Sequence, residues 1–357
     1  MFKKNLTLVF ALMMSFFSIQ KAEAGPSGDD FNAGTMIIDH IVDAHEWHIL
    51  SIGDKHVSIY LPVILYDNGK FHFFWSSKFD HGYKSHKGFK IEKEGKNKGK
   101  IVKTIGDTME TDTEASLPFD LSITKHVLVL FISIILLIII FVSIARKYKR
   151  NPNKAPSGLQ SLLEPLILFI VDDVIKSSIG EKKYEKYTPY LLTLFFFIFF
   201  NNLMGLIPIF PGGANFTGDI TVTMTLAIFT FLITQFIGTK TYWGHIFNTP
   251  GVPWYMKYPL PLMPIIEIAG LFIKPFVLMV RLFANITAGH IIVLGFISLI
   301  IILGKINMAL GYSITIISVP LAIFMTFVEL IVAFIQAYVF TLLTALYFGT
   351  AVEEAHH

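Results

Sequence analysis

Residues 262–303 read LMPIIEIAGLFIKPFVLMVRLFANITAGHIIVLGFISLIIIL, a nearly unbroken apolar run that carries Glu267, Lys274, Arg281 and His290. As an α-helix the run would be roughly 60 Å long, against a hydrocarbon core of about 30 Å, so it must tilt steeply, bend or fold back. Arg281 lies near its middle, and a guanidinium does not give up its proton inside a protein. Holding that charge at the centre of a membrane helix costs about 2.5–3.5 kcal/mol on insertion scales, so a use for it is expected. Glu267, Lys274 and Arg281 recur every seven residues, two helical turns, and share one face that Asn285 extends. His290, nine residues past Arg281, falls on the opposite side of a straight helix.

The rest of the chain agrees with a membrane setting. Of 357 residues 53% are hydrophobic and only 15% charged, with a mean hydropathy of +0.60. A net charge of +3 gives no case for a nucleic-acid partner, and the absence of cysteine excludes disulfides and thiolate metal sites. No G-x-x-x-x-G-K-[ST] motif is present, so nucleotide chemistry would belong to other chains, and no cofactor is implied.

Residues 1–24 read as a secretory signal: Lys3 and Lys4, an apolar run over 6–19, and Ala22-Glu23-Ala24 as a cleavage site before Gly25. The alternative, an uncleaved anchor, has only about 14 apolar residues and is short for a span. Residues 25–118 have a soluble composition and are expected to form a small β-containing periplasmic domain. Asp67-Asn68-Gly69 separates two β-rich runs, 57–66 and 70–75, as a hairpin turn, with Pro62 interrupting the first. The Lys- and Gly-rich stretch 92–103 reads as a mobile loop. His40, His45 and His48 cluster near Asp39 and Glu46, but their spacing fits no metal motif, and surface histidines are the expected reading.

Residues 119–357 are expected to form the membrane domain, for a mainly α, polytopic chain of about five transmembrane helices. The first span covers 126–145 and ends in Arg146-Lys147-Tyr148-Lys149-Arg150, which marks the cytoplasmic side and agrees with an exterior N-terminus. Residues 158–180 are too polar to cross and should lie along the cytoplasmic interface. Thr188-Pro189 reads as the start of a second span running to about residue 209, and Asp219 as the cap of a third, ending at Gly238. A turn over 304–311 then separates the 262–303 helix from a last one over 312–348, the two forming a long, strongly tilted hairpin with the C-terminus cytoplasmic. Antiparallel pairing about that turn sets Gln336 opposite Arg281. It sets Glu329 opposite Asn285 and Ile286, about one turn from His290, bringing an acid and an imidazole together in the outer half of the membrane.

The run Lys274-Pro275-x5-Arg281-Leu282-Phe283-Ala284-Asn285-x2-Ala288-Gly289-His290 resembles the signature of subunit a of F-type ATP synthases. Asn202-Leu203-Met204-Gly205-Leu206-x-Pro208, Asp219 with the threonines after it, Gln336-Ala337-Tyr338-Val339-Phe340 and the ending Glu353 to His356 support it. The resemblance covers residues 117 to the C-terminus. It implies a non-catalytic channel and stator subunit that packs two tilted helices against a rotating c-ring, beside the peripheral-stalk subunit b, in the bacterial inner membrane. It makes Arg281 the stator arginine, which keeps the ring carboxylate ionised and blocks direct leak between two offset half-channels. It places Asn202, Asn285, His290, Glu329 and Gln336 at or beside the periplasmic half-channel, and Glu267, Lys274 and Tyr347 at the cytoplasmic exit. Many bacterial relatives carry Glu where His290 stands and His where Glu329 stands, and some carry small hydroxyl residues in place of Gly270, Ile273 and Val277. The His290–Glu329 pair favours protons over sodium as the translocated ion. A secondary transporter is the competing class, but no internal repeat of broken helices is visible.

Overall fold

A computed structural model describes residues 32–52, 55–106, 108–150, 155–207, 212–247 and 262–353. The expected signal segment 1–24, the connector around Lys257, Pro208, Pro211 and the ending 354–357 lie outside the described residues, as do the side chains of His40 and His48.

Helix α1 (Ala33–Ile41) leads into β1 (Glu46–Ile52), which pairs antiparallel with β2 (Lys55–Tyr60). The first β-rich run breaks at Leu61, ahead of Pro62, and resumes as β3 (Pro62–Asp67). A two-residue turn follows in which Asn68 and Gly69 both have positive φ (47° and 79°), the combination a type I′ hairpin requires. Strand β4 (Lys70–Trp75) returns along β3 in register from Asp67↔Lys70 to Pro62↔Trp75. The stretch expected as a mobile loop is different. Strand β5 (Phe89–Ile91) pairs with β6 (Ile101–Lys103), and the intervening turn is closed by Glu92 N–H to Lys100 O (2.9 Å) and Gly99 N–H to Glu92 O (2.7 Å). Ile101 buries against Phe89 and the β3–β4 hairpin, and Val102 is also buried, so apolar burial at its end overrides the Lys/Gly composition. Among the described residues no group of three or more His, Asp or Glu could hold a metal.

Strand β7 (Phe119–Asp120) pairs with the other edge of β3 and runs without slack into helix α2 (Lys125–Arg150). Leu121 N–H donates to Ile64 O and Ile123 N–H to Pro62 O. The first turn of α2 is then capped by the N-terminal domain: Lys125 N–H donates to Ala44 O (2.8 Å) and His126 N–H to Asp43 Oδ1 (2.9 Å). The basic cluster 146–150 continues α2 as helix.

Helix α3 (Leu159–Phe169) passes into a π-helical stretch (Ile170–Lys176) and a last turn to Ile179. The segment does not simply lie on an interface. Ile170, Val174 and Ile175 are fully buried in the main core, and Gly349 approaches it so closely that an added Cβ would strike Ser178 O. Helix α4 (Tyr184–Leu206) begins earlier than expected. Pro189 sits inside it, and Thr188 Oγ1 bonds back to Tyr184 O (2.9 Å) instead of capping. Helix α5 (Ile220–Ile237) is capped as expected, Asp219 Oδ1 accepting from Thr221 N–H (2.7 Å). The short α6 (Lys240–Phe247) follows.

The quoted run forms one unbroken helix, α7 (Leu262–Ile306), and the next is α8 (Met308–Val352), each 45 residues. Pro275 and Pro320 are accommodated inside them. The expected eight-residue turn is a single residue, Asn307, whose side chain caps Ala309 N–H (2.8 Å). Gly304 and Gly311 belong to the helices and set their closest approach: a Cβ on Gly311 would lie 2.7 Å from Gly304 Cα. Among the described residues, five helices are long and apolar enough to span a bilayer: α2, α4, α5, α7 and α8. At 1.5 Å per residue, α7 and α8 would be roughly 68 Å long and can cross about 30 Å of hydrocarbon only at a steep tilt.

Candidate functional site

The α7–α8 hairpin sorts its polar side chains into two groups on either side of Arg281. On the side of the N-terminal domain, a Cβ on Gly289 would collide with the Glu329 carboxyl, so Glu329 packs directly over Gly289, next to His290 in the chain. The register at this point has slipped about one turn from the expected pairing, which brings the acid closer to the imidazole than sequence spacing implied. His290 Nε2 lies against Gly205 of α4, where an added Cβ would stand 3.6 Å from it.

Around this pair runs a seam of buried polar groups. Asn202, 3% exposed, donates from Nδ2 to Ala333 O (3.1 Å) and accepts from Thr217 Oγ1 (2.6 Å). Thr287 Oγ1 donates to Gly218 O (3.1 Å). Asn201 Oδ1, both side-chain polar atoms of Asn215, Glu329 Oε1 and His126 Nε2 are buried without a hydrogen-bond partner among the described residues. Buried polar atoms are normally satisfied, so a run of orphans marks a path that water can occupy. His126, itself buried, has its Nδ1 3.0 Å from Asp219 Oδ2 and 3.8 Å from Asp43 Oδ1. Burial pushes the Asp219 carboxyl up, but hydrogen bonds from His126 and from Thr221 N–H outweigh it and hold the group below the usual carboxylate range.

On the other side of Arg281, Lys274 Nζ sits 5.4 Å from the Tyr347 ring centroid, and Arg281 is within electrostatic reach of the same phenol. Lys274 and Tyr347 line a narrow, water-sized cleft with Thr230, Thr234, Gln235 and Tyr242. Glu267 closes this group: burial and its negative charge push the Tyr242 phenol up, against the hydrogen bond from Tyr242 to Gln235.

Arg281 itself is half-buried, and among the described residues no carboxylate lies within ion-pair distance of it. Gln336 is buried, and it makes no hydrogen bond to Arg281 among those residues. Asn285 lies exposed on the open face of α7 with Ala284 and Ala288, and is not brought into the His290–Glu329 pocket. Sequence reading missed His126, Asn215, Thr217 and Thr287. Only Asp219 signalled this region, as a helix cap; its partner His126 is 93 residues away and is reached through the fold.

A polytopic chain with a guanidinium midway along a tilted hairpin, and with separate polar routes toward the two faces, has the architecture of an ion-conducting membrane subunit. Residues 127–349 match the family model described as ATP synthase A chain, and residues 36–121 match that of a domain family of unknown function. A protein from Chlorobaculum tepidum named ATP synthase subunit a 2 is 47% identical over 246 residues, 67% of this chain and 66% of that protein. One of the same name from Chlorobium luteolum is 45% identical over 354 residues, 95% of this chain and 84% of that protein, so its similarity takes in the N-terminal domain. ATP synthase subunit a of an Anaeromyxobacter species is 39% identical over 71% of this chain and 60% of its own length. The chain belongs to the ATP synthase A chain family, whose members are non-catalytic subunits of the membrane sector.

Proposed function

We propose that this chain is the proton-channel and stator subunit of an F-type ATP synthase in a bacterial inner membrane, with its N-terminal domain (residues 25–118) periplasmic and its C-terminus cytoplasmic. The observation that carries the reading is Arg281: a permanent charge midway along a spanning helix, with no carboxylate to pair with among the described residues. Near it α7 carries exposed apolar side chains, among them Phe276 and Val280, and α8 carries exposed Phe327 and Ile331 at the level of the His290–Glu329 pair. A rotating c-ring would cover that face and bring its ring carboxylate to the guanidinium, and subunit b of the peripheral stalk would hold the assembly still.

In this reading protons enter at His126 and Asp219, follow the seam past Asn202 and Thr217, and reach Glu329 and His290, which hand them to the ring. An imidazole and a carboxyl side by side suit proton exchange near neutral pH better than sodium coordination. Protons leave past Tyr347, Lys274 and Glu267. Arg281 stands between the two routes and repels a proton that would cross directly, so passage requires the ring to turn. Asn285, on the open face, and Gln336, inside, flank the guanidinium without lining the seam. The test is ATP-driven acidification of inverted membranes carrying Arg281→Ala, with assembly checked by co-purification of the complex. Loss of coupled pumping in an assembled complex is expected; coupled pumping at the unmutated rate would refute the role.

A further inference from the structure

The β4-β3-β7 sheet of the N-terminal domain is apolar on both faces. One face supplies Val63, Leu65 and Phe74 to the domain's core. The other pairs Tyr66 with Phe71 on one side and Phe119 on the other, and continues through Phe73, Trp75 and Leu121. These side chains are open: Phe71 is 70% exposed, Phe119 65%, Phe73 59% and Trp75 53%. An antiparallel sheet with one face on its core ordinarily turns polar residues to water on the other. A contiguous aromatic patch of this kind marks a surface that something covers.

The fold indicates the occupant. Ile123 N–H still bonds to Pro62 O, so only Thr124 separates the last hydrogen bond of the sheet from Lys125, the first residue of α2. The sheet is therefore fixed at the end of a spanning helix, with its Pro62–Trp75 end nearest, and Phe71 only about 14 Å further along the strand. The headgroup region adds roughly 5–8 Å beyond the hydrocarbon on each side. Trp and Tyr are enriched at this depth, and Phe is among the apolar side chains that interfacial segments bury at the headgroup–acyl boundary. Helix α2 itself carries exposed apolar side chains, among them Phe131, Ile135 and Ile138.

We propose that the aromatic face of this sheet rests in the headgroup layer of the same bilayer that α2 crosses, on the leaflet at the N-terminal domain's side, and so makes the domain a membrane-seated pad. The seating requires only that α2 spans the membrane, and it is independent of the route protons take. It holds the domain against tilting and keeps the His126–Asp219 pair at a fixed height relative to the lipid.

The chain contains no cysteine, so a single introduced thiol can be spin-labelled in the complete complex reconstituted into phosphatidylcholine–phosphatidylglycerol vesicles. Phe73→Cys reports the patch, Ile135→Cys the lipid-facing side of α2, and Lys96→Cys an exposed turn of the domain. Relaxation by oxygen, which partitions into lipid, is compared with relaxation by a water-soluble nickel chelate. The label at 73 is expected to shift to the oxygen-favoured behaviour of the label at 135. A label at 73 as open to nickel as the one at 96 would show a face in water and overturn the proposal. Shielding from both reagents would show a protein partner there and overturn it equally. All three positions are exposed, so the substitutions leave the fold and the pumping activity in place, and a failed proton route would not alter the readout.

Discussion

Substituting Gly289 by alanine separates the geometry of the acid–imidazole pair from the stability of the hairpin. A Cβ at Gly289 would stand 2.9 Å from Glu329 Cγ and 3.0 Å from its Cδ, and would meet Oε1 closer still. Comfortable carbon contacts begin near 3.5 Å, so the carboxyl must retreat by roughly 0.5–1 Å. The colliding atoms are the far end of a flexible side chain, which places the packing cost near the lower end of about 1–3 kcal/mol. Replacing glycine by alanine inside a helix returns about 1 kcal/mol, so the net change in stability is small. Proton transfer is less forgiving, since a misplacement of about 1 Å can cost on the order of 100-fold. The expected outcome is a fully assembled complex of near-normal thermal stability whose ATP-driven proton pumping falls at least ~10-fold. Gly295→Ala, on the same helix with open space around it, is the control and should pump normally. Unchanged pumping by Gly289→Ala would refute the idea that Glu329 works from its position over Gly289.

Exchanging the pair, His290→Glu with Glu329→His, should largely restore proton flow that either single change impairs; a double variant no better than the singles would dissolve the pairing. Gly311→Val should lower the melting temperature of the complex, because its side chain meets the backbone of Gly304, which cannot move aside, at a cost of about 1–3 kcal/mol or more. Asp219→Asn should destabilise the junction of α2 and α5 at neutral pH. The folded carboxyl lies below its unfolded value, so its stabilisation is complete above about pH 4 and is lost as pH falls through the folded value. The gap in melting temperature between wild type and Asp219→Asn should therefore be wide at pH 7 and close in acid; a gap independent of pH would contradict this.

The five spans, the hairpin about 304–311 and the cap at Asp219 were legible because each rests on local chemistry: apolar length, glycine, a side-chain acceptor. Glu267, Lys274 and Arg281 could be placed on one face of α7 because their seven-residue spacing does so without reference to other elements, whereas Tyr347, on α8, was implied only by the family resemblance. What could not be read depended on contacts distant in sequence. The Thr188-Pro189 start failed because Pro189 is tolerated one turn further in, where Tyr184 and the preceding turn pack on the core. The 101–103 strand was hidden by its Lys/Gly neighbours and exists because Phe89 and the β3–β4 hairpin bury Ile101. Glu329 lands over Gly289 and not opposite Ile286 because antiparallel counting assumes a constant register, whereas the two helices slip by about a turn between Gly304 and Gly289.

The first turn of α2 borrows its acceptors from Asp43 and Ala44, some eighty residues upstream. Thr124, at its own doorstep, offers Val127 only a long 3.5 Å contact. A chain trimmed to residues 119–357 would open that helix with bare amide hydrogens at a membrane border. It would also strip β7 of its partner and leave His126 without Asp43. A minimal membrane fragment therefore has to supply a cap of its own, such as Ser or Asp immediately ahead of Lys125, before its expression or yield says anything about the channel.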